Sequence, residues 1–417
     1  MKGPIGVTIP IISWQSVRVS MLLLLAVLLV ANAGGKVDPE TGRIRLLHIG
    51  DAFKQGNFAA TFFFNDPRIE ILPVPSEVAV IGTEETMRYY RLYLPRREED
   101  LRTGYDVVCI TGAFQYHLGK FKLWTRDSVI GEGMGFVMAD DPASFGGTDW
   151  RGVNNNWCQT VLDVVMPVVC ADDSQGWSQY YFRIDVAEPR HPLVAGVPWE
   201  EASWVSHNRV FEKQGSRVVA RTRSHPPGRP ALAYMDVGEG RSLAIVHDWG
   251  GRAAYAFSTI GGAWEWAPHV FSSFIYYSAK TEIPDPAMDM LVRERFSNYD
   301  SRRLLFLSIV EFADMFNANT NNLLRDLGKI DARRREVNSL YIDMELQAAI
   351  DEIEVLNSEL QEKVDEAMKV KDRALLWIYV IEWCSVTGTM ILAGYVLFSL
   401  MIRRRLYRDV SHTRLRV

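Results

Sequence analysis

The chain has 417 residues, 48% of them hydrophobic, and a net charge of −5. That length exceeds one ordinary domain, and the apolar share is ample for a packed core, so a disordered chain is excluded. The mild acidity argues against nucleic acid as a partner, and four cysteines are too few for a disulfide scaffold.

At the amino end an unbroken apolar run, 21–30, follows Arg18 and precedes Ala31-Asn32-Ala33. A positive flank, a short apolar stretch and a small-residue site predict a secretory signal peptide over 1–33. An uncleaved anchor is the alternative, although the run is short for a span. Either version sends the following residues across a membrane.

Three apolar runs follow that read as buried strands: 44–49 (IRLLHI) before Gly50-Asp51, 69–74, and 105–111 (YDVVCIT) before Gly112. Helical candidates lie at 84–94 and 121–130. Apolar strands alternating with helices imply an α/β domain whose parallel sheet is covered on both faces. A fourth strand sits in the most informative stretch, 131–147 (GEGMGFVMADDPASFGG). There a glycine-rich turn feeds 136–139, which ends in Asp140-Asp141-Pro142 and then Ser144-Phe145-Gly146-Gly147. In open α/β sheets the residues just past such strand ends build the ligand site.

Further on, His191-Pro192-Leu193-Val194-Ala195-Gly196-Val197-Pro198 reads as a rigid turn, since its prolines fix φ and Gly196 can take a positive one. Runs 231–236 and 242–247 form a predicted hairpin around Gly238-Glu239-Gly240, and 268–278 a closing helix. The glycine-rich strand with its Ser-Phe-Gly-Gly loop, together with the His-Pro-Leu turn, resembles the glutamine amidotransferase-like domain family, of flavodoxin-like class I amidotransferase-like fold. The resemblance covers about 44–283.

That resemblance implies a glutaminase site: a Cys nucleophile at the strand-to-helix elbow, a His base and an orienting carboxylate. The elbow of this chain reads Met138-Ala139-Asp140-Asp141, without a thiol. His247, followed by Asp248 and Trp249, matches the family's late His in position, with His-Asp-Trp in place of His-Pro-Glu. Cys109 lies mid-strand and Cys158 in a loop, so glutaminase activity is disfavoured. Another chemistry would join His247 to Asp140 or Asp141 as an acid/base pair, or through a divalent metal, with Asp51 and His117 nearby. Aspartates at strand ends also serve as helix caps or Asx turns.

The candidate catalytic set is therefore His247, Asp140 and Asp141. The candidate ligand-binding set is Asp51, Ser144, Phe145, Gly146 and Trp249. No resident metal and no cofactor is expected. Trp150, Trp157, Trp177, Trp249, Trp264 and Trp266 fall in loops or at strand ends, where they either line a cleft mouth or pack loops onto the sheet. Cys158 and Cys170 either pair in an oxidising compartment or remain two buried thiols.

Ile283-Pro284-Asp285-Pro286 closes the globular part, and 287–373 reads as a helical stalk. The run 302–316 is too apolar for a solvated rod, and 317–322 with Gly328 predicts a bend. Leu346, Ile353, Leu360, Ala367 and Ala374 recur at heptad spacing, with Ala349, Leu356 and Val370 between them. That pattern predicts a coiled coil and a homo-oligomer; the alternative is a helix packed antiparallel on 302–316 within one chain.

A charge-free run, 384–402, follows Trp377, Tyr379 and Trp383 and stops at Arg403-Arg404-Arg405. It predicts one transmembrane helix over 377–402, with the body outside and the Arg-rich tail 403–417 in the cytoplasm. The sequence thus predicts a single-pass membrane protein whose extracytoplasmic domain binds a small molecule or an envelope protein. A hydrolase or amidase is the second reading.

Overall fold

The computed structural model describes residues 36–52, 58–76, 78–139, 144–146, 155–171, 177–202, 204–224, 227–247, 249, 258–259, 262–316 and 318–413. Its contacts divide the chain into two compact units. One runs to Met290 and includes Tyr341–Met344; the other comprises Leu291–Leu340 and the chain from Glu345 onward.

In the first unit the strands in chain order are β1 (Ile44–Gly50), β2 (Ile69–Pro75), β3 (Val107–Thr111), β4 (Gly135–Ala139), β5 (Val168–Cys170), β6 (Trp177–Phe182) and β7 (Ile184–Val186). They continue as β8 (Trp204–Asn208), β9 (Val210–Glu212), β10 (Arg217–Thr222), β11 (Pro230–Val237), β12 (Gly240–Ile245), β13 (Ser258–Thr259) and β14 (Gly262–Ala263). An eight-stranded sheet has the order β2-β1-β3-β4-β12-β11-β10-β7. From β2 to β12 neighbouring strands run parallel, whereas β11, β10 and β7 pair antiparallel. The sheet is therefore mixed rather than wholly parallel. The hairpin through Gly238 sets β11 antiparallel beside β12, and the earlier strands β10 and β7 extend that reversed edge.

The helices are α1 (Phe58–Asn65), α2 (Val78–Tyr93), α3 (Glu98–Gly104), α4 (Phe121–Glu132) and α5 (Ala267–Ser278). Every residue of β3 and β4 is buried, as expected for strands covered on both faces. The third strand starts at Val107 rather than residue 105 because Asp106 turns to hold Arg45, with contacts of 2.8 to 3.0 Å. Helix α2 is two helical pieces joined across a non-helical Gly82 at φ 78°, the second matching the helix expected from residue 84. Two glycines of the 131–147 stretch have evident packing or turn roles. A Cβ on Gly135 would lie 2.7 Å from the Ser278 carbonyl oxygen, and Gly133 closes α4 at φ 73°. In the His-Pro-Leu turn Gly196 does take a positive φ, 75°.

The second unit holds most of α6 (Pro286–Met315), α7 (Asn321–Ile342) and α8 (Leu346–Thr413). Phe296, Phe306, Ile309, Val310, Leu327, Ile330 and Val337 are buried, as are Leu346, Ala349, Ile353, Leu356, Leu360 and Ala367. The heptad seam is thus covered within a single chain. Polar bonds cross among all three helices: Arg303 to Asp331 at 2.9 Å, Arg333 to Glu352 at 2.6 Å, and Arg295 to Glu354 at 3.2 Å. The predicted bend at 317–322 is the α6–α7 connection, while Gly328 stays inside α7. Beyond the bundle α8 continues with exposed apolar side chains from Leu376 to Tyr407. Among the described residues it is the one helix long and apolar enough to cross a membrane, with mean hydropathy 1.8 over an 18-residue stretch.

Candidate functional site

The carboxyl ends of four parallel strands lie in register, Gly50 beside Thr111, Thr111 beside Ala139, and Ala139 beside Ile245. Chain order reverses between β1 and β3, since β2 lies on one side of β1 and β3 on the other. That reversal is where doubly wound sheets open a ligand crevice. The edge therefore begins at Asp51, Gly112 and Val246-His247. Asp140 and Asp141 follow Ala139 in sequence and lie outside the described residues.

Gly50 makes the first turn possible. Its φ is 118°, and a Cβ would fall 1.3 Å from the Thr111 carbonyl oxygen. The backbone N–H of Asp51 donates to that same oxygen at 2.9 Å and to Thr111 Oγ1 at 3.1 Å. Thr111 Oγ1 also meets His48 Nε2 at 2.9 Å. His48 is wholly buried, and burial pushes its pKa down to about 3, so the ring is neutral. It packs edge-on against Phe63 and Trp249 at 5.8 and 6.5 Å. His48 and Thr111 were not singled out in the sequence; a histidine interrupting the apolar run IRLLHI was their only signal.

The predicted ligand-binding residues are brought to this edge but turned into the protein. Ser144 Oγ accepts from the Gly112 N–H at 2.9 Å and donates to the Ala139 carbonyl, stitching β3 to β4. Phe145 is fully buried, and its carbonyl accepts from the Trp157 N–H at 2.8 Å. Gly146 leaves no room for a side chain, as a Cβ would sit 2.9 Å from Cys170 Cβ. Asp51 is 3% exposed. Asn155, also missed, clamps the loop after β3 by accepting from the Gln115 N–H at 2.9 Å and donating to the Ala113 carbonyl at 3.1 Å.

His247 is buried, with its ring 5.3 Å from that of Trp204. His117 sits in a short 3-10 turn, stacked obliquely on Tyr116 at 4.3 Å, and burial lowers its pKa. Of the two readings of the tryptophans, packing rather than cleft lining holds for Trp157, Trp249 and Trp264, which are at most 1% exposed. Trp249 stacks on Phe274 at 6.1 Å and meets Phe271 edge-on at 5.0 Å, so it is core. Trp150 lies outside the described residues. No group of three or more His, Cys, Asp or Glu that could hold a metal occurs among the described residues.

Each cysteine has a place. Cys158 and Cys170 form a disulfide. Cys109 is buried in mid-β3, with its pKa raised well above the usual thiol value by burial, and Cys384 is exposed on the apolar part of α8. No thiol stands at the carboxyl edge.

Residues 119–271 match the family described as "Putative glutamine amidotransferase". This part of the chain is similar to the glutamine amidotransferase-like family. The match spans β4, the Ser-Phe-Gly-Gly loop, the His-Pro-Leu turn and His247. Solved structures similar to the chain include Cytoplasmic Protein STM3548 from Salmonella typhimurium, at 15% identity and TM-score 0.44, covering 56% of this chain and 98% of that one. Cytoplasmic Protein STM1381 from Salmonella typhimurium LT2 gives 15% identity and 0.42, covering 57% and 97%. A beta-galactosidase from Rahnella sp. R3 gives 9% and 0.35, covering 60% of this chain and 32% of that one. Likeness at these scores says nothing of activity. No curated protein sequence matches the chain.

The first unit also contains a hydrogen-bonded line that resembles a catalytic relay. Ser273 Oγ meets His269 Nε2 at 3.3 Å, His269 Nδ1 meets Asp289 Oδ2 at 2.7 Å, and Tyr341 donates to Asp289 at 2.6 Å. All four residues are at most 1% exposed, so this is a buried polar network with no surface for a substrate. A hollow of about 370 Å³ opens at the other edge of the sheet, lined by Arg45, Glu70, Leu72, Tyr93, Asp100 and Tyr105.

Proposed function

We propose that this chain is a membrane-anchored, extracytoplasmic glutamine amidotransferase-like protein that binds a small molecule or an envelope protein and does not hydrolyse glutamine. The placement of the four cysteines carries the reading. A glutaminase needs a thiolate at the strand-to-helix elbow beside oxyanion donors. Here the elbow bears none, Cys109 is held protonated inside the sheet, and two of the remaining three are consumed in a disulfide. That disulfide also supports an oxidising compartment. The apolar segment of α8, with Arg403-Arg404-Arg405 at its end, supports a cytoplasmic carboxyl terminus.

A second reading, a hydrolase or amidase, is favoured by one observation. His247 leaves β12 at the same edge where the chain enters Asp140-Asp141 from β4. The two are separated by assaying the full chain in detergent for ammonia release from glutamine and simple amides, with and without divalent metal. The proposed function predicts no release above buffer. Turnover that disappears in His247→Ala would replace it with the hydrolase.

A further inference from the structure

The end of α6 carries an apolar patch that the bundle leaves uncovered. Met315 is 72% exposed, and Phe316 and Phe312 are 38% and 37% exposed, with the two phenyl rings 5.0 Å apart. Apolar side chains of this size clustered at a helix end mark a contact surface.

The level of that patch along α8 follows from the pairs that tie the helices together. Asp326 meets Lys363 at 3.1 Å and Arg333 meets Glu359 at 2.7 Å, so α7 runs antiparallel to α8. Arg295 meets Glu354 at 3.2 Å, and Arg302 donates to the Asn357 carbonyl at 2.9 Å, so α6 runs parallel to α8. Extending these pairings at ~1.5 Å per residue places Met315 and Phe316 within roughly 10 Å of the level of Trp377, with Phe312 about one turn farther back. Trp377, Tyr379 and Trp383 are themselves exposed and stand where the apolar segment begins. Aromatic side chains of this kind mark the headgroup layer of a bilayer.

We infer that the α6–α7 tip is a second membrane contact, with Phe312, Met315 and Phe316 resting in the lipid headgroup layer beside the α8 span. The connecting residues Ala318, Asn319, Thr320, Asn321 and Asn322 carry no charge and suit that layer. Glu311 and Asp314, exposed near the same end, keep the contact shallow, because a carboxylate resists transfer into hydrocarbon. The tip would fix how the bundle stands on the bilayer, which one helix alone does not.

This inference rests on the membrane reading, and its test separates the two. Single nitroxide labels are placed at Met315→Cys, Glu345→Cys and Val396→Cys in a Cys384→Ser full-length chain. The chain is reconstituted into phosphatidylcholine vesicles, and collisions with oxygen and with a water-soluble nickel complex are measured. Val396 should be open to oxygen and closed to nickel, and Glu345, at the far end of the bundle, the reverse. Met315 should show an oxygen-to-nickel ratio several-fold above that of Glu345 and below that of Val396. If Val396 is buried in lipid while Met315 matches Glu345, the tip contact is wrong and the membrane reading survives. Protection of Met315 from both reagents would mean that protein, such as a second copy, covers it, and would overturn the inference. A nickel-accessible Val396 would remove both.

Discussion

Breaking the bond between Cys158 and Cys170 perturbs the loop behind the carboxyl edge without touching the sheet. The bond joins residues separated by 12 positions. Closing a loop of that length removes about 3 kcal/mol of unfolded-state entropy. A domain of this size loses ~2–4 °C of melting temperature per kcal/mol, so Cys158→Ala with Cys170→Ala should melt roughly 6–12 °C lower. The same loss should follow reduction of the native protein before heating, and reduction should leave the double variant unchanged. The companion measurement is a thiol count on the denatured, unreduced chain, which should alkylate at Cys109 and Cys384 only. Four labelled thiols, or a double variant that melts with the parent, would refute the pairing and with it the support it lends to an oxidising compartment.

Gly50→Ala should destabilise the domain by more than about 3 kcal/mol in urea unfolding, because it adds backbone strain to an overlap with the Thr111 carbonyl. Gly328→Ala, where a Cβ meets open space within α7, should instead stabilise by ~1 kcal/mol; equal effects at the two sites would sink the argument. His48 gives a pH signature. Its folded pKa, about 3, lies below the ordinary 6.5, so between those values the unfolded chain binds the extra proton and stability falls as pH falls. Going from about pH 7 to about pH 5 should cost ~2 kcal/mol through this residue. His48→Gln should lose that part of the slope in paired melting curves, and an unchanged slope would show that the ring is not buried neutral.

Strands β1, β3 and β4 were legible in the sequence because burial on both faces leaves largely apolar runs that end in turn residues, Gly50 for β1, Gly112 for β3 and Asp140-Asp141-Pro142 for β4. The reversed edge was less so. β10 carries Arg217 and Arg221 amid its apolar residues, and β7 is too short for its pairing to declare itself. At the candidate edge, sequence order identified which residues arrive together, since strand ends in register make neighbours of Asp51, Gly112 and His247. It did not tell which way side chains face. Ser144 reads as a loop hydroxyl open to ligand, yet its bonds to Gly112 and Ala139 turn it inward. Trp249 reads as a cleft residue for want of a flanking apolar pattern, and its partners, Phe271 and Phe274, come from a helix later in the chain. The heptad repeat was plain, but periodicity does not distinguish a partner chain from α6 and α7 of the same one.

Asn357 interrupts a line of apolar positions in α8, between buried Ile350 and buried Val364. Its amide nitrogen donates to the Arg295 carbonyl at 3.1 Å, while Oδ1 has no partner among the described residues. Glu352, Glu359 and Glu366 repeat at the same interval, so if α8 slipped by one heptad Arg333 would still find two carboxylates. The Arg333 bridges therefore do not choose between alternative alignments of the bundle. Asn357 does, because a slip would carry its amide away from the Arg295 carbonyl and strand it where an aliphatic side chain now packs. Together with the Asp326–Lys363 and Arg295–Glu354 pairs, which the same slip would break, one incompletely satisfied amide holds the bundle to a single alignment of α8.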